Sequence, residues 1–110
     1  MTTYTRGDGL RMNVGNPTTF TQTEVAVAAT STKLCDANLA RKVLFIQNIS
    51  ATDVDVSLDG TAATMGDGVR LYANGDALTL SAADGSLTTA AIYAISTSGD
   101  NKAVRVIEGV

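Results

Sequence analysis

The run Arg41-Lys42-Val43-Leu44-Phe45-Ile46-Gln47-Asn48 holds the densest group of large apolar residues in this 110-residue chain. It is too short for a stable helix. As a strand it points Val43 and Phe45 to one side and Leu44 and Ile46 to the other. Large apolar groups on both faces need cover on both, so the run predicts a central strand of a sheet with another layer packed over it. Arg41 and Lys42 read as a polar lead-in, and Gln47 and Asn48 as its polar close.

The stretches on either side repeat a shorter version of this pattern. Apolar alternation recurs over 24–28, 53–59, 69–72, 77–81, 90–96 and 102–108, which with 41–48 makes about seven short strands. In 53–59, Val54, Val56 and Leu58 face inward while Asp53, Asp55, Ser57 and Asp59 face water. Residues 30–39 are rich in turn formers and read as a connection with at most a brief helical turn. Asn74-Gly75 is a strong turn signal because both residues accept positive φ at little cost, and 97–101 reads as a polar hairpin tip. Turn signals every eight to twelve residues predict an all-β fold, an antiparallel β-sandwich that is jelly-roll-like or a small barrel. A meander and a jelly roll give the same alternation.

Residues 1–23 differ from the body at 24–110. Thr, Gly, Asp and Asn dominate them, and their large apolar residues are Tyr4, Leu10, Met12, Val14 and Phe20. Leu10, Met12 and Val14 share one face of a short strand, and the chain's single proline, Pro17, holds its neighbourhood extended or in a turn. So few apolar groups cannot form a core. The segment predicts an extended N-terminal arm ordered against its own domain or a neighbouring subunit, with those five residues as its contacts. The body also favours association: aromatics make up 5% of the chain and Trp is absent, so the core relies on Val, Leu, Ile and many Ala and Thr. A homo-oligomer would supplement so slight a core.

Composition argues against several chemistries. A net charge of -3 with scattered Lys and Arg does not make the positive surface that nucleic acid needs. Without histidine there is no Ser-His-Asp arrangement and no base to activate Cys35, which reads as a core filler. Asp53, Asp55, Asp59 and Asp67 lack the spacing of a calcium loop, and alternate strand positions spread carboxylates ~7 Å apart, so they read as a solvated face. With two Glu and no Trp a glycosidase is disfavoured; no helix follows either Gly-Asp-Gly triplet, and Arg6-Gly7-Asp8 reads as a chance tripeptide. The expectation is a non-enzyme without cofactor or metal. No apolar run approaches the ~20 residues of a membrane span, and the first residues lack a secretory signal's hydrophobic segment, which predicts a soluble chain made in the cytoplasm.

From about Val25 onward the chain resembles small all-β virion proteins of tailed bacteriophages. The resemblance rests on Ala40 to Ser50, with its R-x-x-L-x-I-Q-N pattern, then Val54 to Thr64 with a Gly60-Thr61-Ala62 loop. It continues through Gly68-Val69-Arg70-Leu71, Ala91 to Ser96 and Val104 to Glu108. It implies a virion component, foremost a capsid decoration protein made in the bacterial host, with the major capsid protein or connector and tail proteins as partners. The alternative it implies is a fibre- or tail-associated receptor- or glycan-binding module. For that module, loops 61–68, 82–88 and 97–101 would form one rim and binding would be lost on changing Tyr72 or Tyr93; the lack of exposed-looking aromatics counts against it, and Tyr93 reads rather as core.

Overall fold

A computed structural model describes residues 16–110. Eight strands follow one another: β1 (Phe20–Val27), β2 (Thr32–Cys35), β3 (Val43–Asn48), β4 (Val54–Ser57), β5 (Val69–Leu71), β6 (Ala77–Ser81), β7 (Ile92–Ser96) and β8 (Lys102–Gly109). The first sheet has the order β1-β8-β3-β6 and the second β2-β7-β4-β5, with every pair antiparallel. That order is a jelly roll, in which successive strands pass from one sheet to the other. Only β4 and β5 are consecutive in sequence and paired with each other.

The core lies between the sheets. From the first sheet come Val27, Leu44, Ile46, Leu80, Val104 and Val106, and from the second Leu34, Val54, Val56, Leu71, Ile92 and Ala94. Each occupies alternate positions on its strand, as the pleat requires. The inward face predicted for β4 holds, with Val54 and Val56 in the core.

Four expectations change. The body begins earlier, because Phe20 to Thr23 continue β1 and pair with Val106 to Gly109. Thr32–Cys35, expected as a connection, is a strand: Leu34 enters the core and pairing to β7, with a register shift between Lys33 and Cys35, overrides weak local preference. Asn74 (φ 67°) and Gly75 (φ 111°) do make the predicted turn, but it carries the chain from the second sheet to the first. The tip at 97–101 likewise joins β7 to β8 in the opposite sheet rather than closing a hairpin.

The fourth change concerns β3. It is an inner strand of the first sheet, as expected, with Leu44 and Ile46 buried against the second sheet. Val43 and Phe45 point outward and are only half-buried, so the two-sided cover read from the sequence is one-sided and partial.

Candidate assembly face

The polar residues that bound β3 turn out to close the sandwich at its two ends. Arg41, expected as a solvated lead-in, is 3% exposed. Its Nε donates to Glu108 Oε2 at 2.6 Å, Nη1 donates to the carbonyls of Thr88 and Ala90, and Nη2 donates to Asp36 O and Cys35 Sγ. All five guanidinium N–H groups therefore have an acceptor, which is what makes burial of the charge tolerable. Glu108 belongs to the first sheet, while Cys35 ends β2, Asp36 follows it and 88–90 precede β7, so the side chain bolts one sheet to the other. The nearby Cys35 thiol is pushed up by burial, which outweighs the pull of Arg41.

Asn48 does the same at the far end. It is fully buried, its Nδ2 donates to Thr52 O, Leu71 O and Tyr72 O, and its Oδ1 accepts from the Ser50 N–H and Ser50 Oγ. These two residues explain why a strand flanked by Arg and Asn suits this fold: both side chains spend their polar atoms on hydrogen bonds within it.

The outer face of the second sheet is covered by the chain itself. Asp55, expected in water, is 2% exposed. Its carboxylate accepts from Arg70 Nε at 2.7 Å and Nη2 at 2.9 Å, and from the Gly66 N–H at 2.7 Å. The Arg70 hydrogen bonds hold this carboxyl below the usual range, with the Gly66 N–H adding to the effect and desolvation opposing it. Farther along the same 58–68 loop, the Ala63 N–H donates to Ser31 Oγ. Thr32 pairs with Ala94, so Ser31 lies level with Ile95. To reach it from β4, the loop must pass over the outer side of β7. Gly68 (φ +79°) permits the close return, since a Cβ there would stand 2.2 Å from Val56 O.

The outer face of the first sheet is built differently. Phe45 of β3 is opposite Ile107 of β8, and Val43 is opposite Gly109. Gly109 pairs in turn with Phe20 at the start of β1. Around Gly109 the space of a side chain is taken by others: a Cβ there would meet Val43 Cγ1 at 2.6 Å, Pro17 Cβ at 2.8 Å and Phe20 Cε1 at 2.9 Å. Val43, Phe45 and Ile107 are half-buried and Phe20 is 55% exposed, so an apolar strip runs from the rim along two adjacent strands. Among the described residues, no backbone hydrogen bond carries a loop across it; Gln47 Nε2 reaches Gly75 O at its far corner. The connection at 36–42, at the same end of the sandwich, carries Leu39, which is 92% exposed.

Of the predicted arm contacts, Phe20 is thus a rim residue of this face. Tyr4, Leu10, Met12 and Val14 lie outside the described residues. Val43, Phe45 and Ile107 were assigned to the core or passed over on sequence. The signal that marks them is Gly109, whose missing side chain makes sense only once Val43 and Phe20 are known to flank it.

The proposed recognition rim does not form. Loops 61–68 and 82–88 lie at the end where β4 finishes and β7 begins, whereas 97–101 lies at the opposite end. Tyr93 sits on the face crossed by the 58–68 loop, and Tyr72, 60% exposed, follows β5 at the far end. A cavity of about 530 Å³ beside the β4–β5 loop is lined by Ser57, Asp59, Thr61, Thr64 and Asp67 among others. Its Asp59 Oδ1 accepts from the Thr61 hydroxyl, the Thr61 N–H and the Ser57 hydroxyl, which hold the carboxyl's pKa down. Among the described residues, no three His, Cys, Asp or Glu side chains converge as a metal site would need, and no helix is long and apolar enough to cross a membrane.

Comparison of the chain with protein-family models, with curated proteins and with solved structures finds no match in any of the three.

Proposed function

We propose that this chain is a structural component of a tailed-phage virion, a decoration protein that binds the assembled capsid through its N-terminal arm and the outer face of its first sheet. The observation that carries the reading is the apolar strip of Phe20, Val43, Phe45 and Ile107 on an otherwise self-contained jelly roll, at the point where the arm joins the body. Exposed apolar strips of this kind mark interaction surfaces. Jelly rolls are a recurrent building block of viral shells, although the same architecture serves lectins and enzymes, so the fold alone does not decide. The buried polar side chains of Arg41 and Asn48 join the sheets and that of Asp55 fastens a loop, which fits a rigid module better than a catalyst.

The segments that carry the resemblance to phage virion proteins fall on β3, β4 with its loop, β5, β7 and β8. Its partners would be the major capsid protein or a connector or tail protein, together with further copies of itself. The test is to add the purified chain to shells assembled without it and locate it by electron microscopy. Regular density on the shell, lost when Phe45 and Ile107 are both changed to Ser, is the expected result. A variant that is folded and still binds with full occupancy would show that the strip is not the contact.

A further inference from the structure

The apolar strip on the first sheet has a candidate occupant within the chain. The chain bends at Thr18, whose N–H and that of Thr19 both donate to Val110 O. This bend sets Pro17 beside Val43 and Phe20 on the outer face instead of continuing straight past the end of β1. Immediately before it, Leu10, Met12 and Val14 place an apolar side chain at every second position. Val14 stands three residue steps before Pro17, a reach of at most ~10 Å. Gly109 to Ile107 along β8 is ~7 Å. A segment so tethered is within reach of the strip.

We infer that residues 10–14 dock on Phe45, Ile107 and Val43 of their own chain, as an extended apolar segment covering the outer face of the first sheet. A short tether holds a segment at an effective concentration on the order of millimolar, so the chain's own copy prevails over that of a second molecule present at micromolar concentration. The inference concerns the free subunit and stands whether or not the virion role holds.

The test uses the full chain with Cys35→Ser and one of two cysteine pairs, Met12→Cys with Gln22→Cys or Met12→Cys with Thr79→Cys. Gln22 faces Ile107 from β1 and Thr79 faces Phe45 from β6, so the two flank the strip. Mild oxidation is expected to close an intramolecular disulfide from at least one pair, seen as a faster-migrating monomer on non-reducing gels. Covalent dimers alone would assign the strip to a second copy, and no disulfide from either pair would remove the segment from this face; either result overturns the inference. As a second measurement, Leu10→Ser, Met12→Ser and Val14→Ser together should lower the urea midpoint of the natural body but leave that of a Phe45→Ser body unchanged. An equal drop in both would also overturn it.

Discussion

The two outer faces of this jelly roll are finished by opposite means. The second sheet is roofed by its own β4–β5 loop, fastened by the buried Asp55 carboxylate and by the Ala63 to Ser31 hydrogen bond. The first sheet carries Phe45, Ile107 and Val43, with Phe20 at the rim. A charge buried under a loop is specific and costly to undo, because its partners are few and directional. An apolar strip is undemanding about what covers it. The difference teaches that the same small sandwich can roof one face with its own loop and leave the other apolar.

The largest perturbation should come from the bolt that both faces share. Arg41→Met strands Glu108 and the three carbonyls and should cost about 3–5 kcal/mol in urea unfolding, enough to threaten folding in a domain of this size. Next, Asp55→Ala should cost about 1–3 kcal/mol and make the 58–68 loop a preferred site of limited proteolysis, while the first sheet's face is unaffected. If the loop stays protected, the carboxylate is not its fastening.

Acid should act on the same face. The folded pKa of Asp55 lies below its unfolded value near 3.9, so its contribution is complete above about pH 4 and is lost as pH falls through the lower folded value. Asp59, in the same loop, is depressed in the same direction by the Thr61 and Ser57 hydrogen bonds. Proteolysis across this range should open the loop in the natural chain before the body unfolds, and an Asp55→Asn chain should show a flatter stability profile.

On the first sheet, Phe45→Ala should cost only about 1–2 kcal/mol, below the ~3–5 kcal/mol of a fully buried ring, because this side chain is half-buried. A thermal-unfolding loss at the full value would mean that the face is covered as tightly as the second one. The smallest effect is kinetic: with its thiol pushed up by burial, Cys35 should react with iodoacetamide near pH 7.5 several-fold more slowly than free cysteine.

Much of the fold was legible because strand alternation is a local property. Val54 and Val56 were placed inward by a period of two, and that is where they lie. β2 was missed because four residues with one core side chain carry too little periodicity, and its existence depends on pairing with a strand some 60 residues later. The apolar strip was half legible. Phe20 was named among the apolar residues of a threonine-rich stretch, while Val43 and Phe45 looked like core residues because a strand with two apolar faces does not say which is roofed.

The sequence by itself determined the class of fold, the inward face of β4, the left-handed turn at Asn74-Gly75 and the break in character before the body. These follow from the covalent chain and the pleat. The tertiary structure alone decided that successive strands change sheets, that Arg41, Asn48 and Asp55 are buried, and that one outer face is roofed and the other apolar. Each of those depends on partners distant in sequence: Glu108 for Arg41, Leu71 for Asn48, Arg70 for Asp55 and Ser31 for the loop that covers β7. A buried polar group is stable only where such partners converge, and convergence belongs to the folded chain.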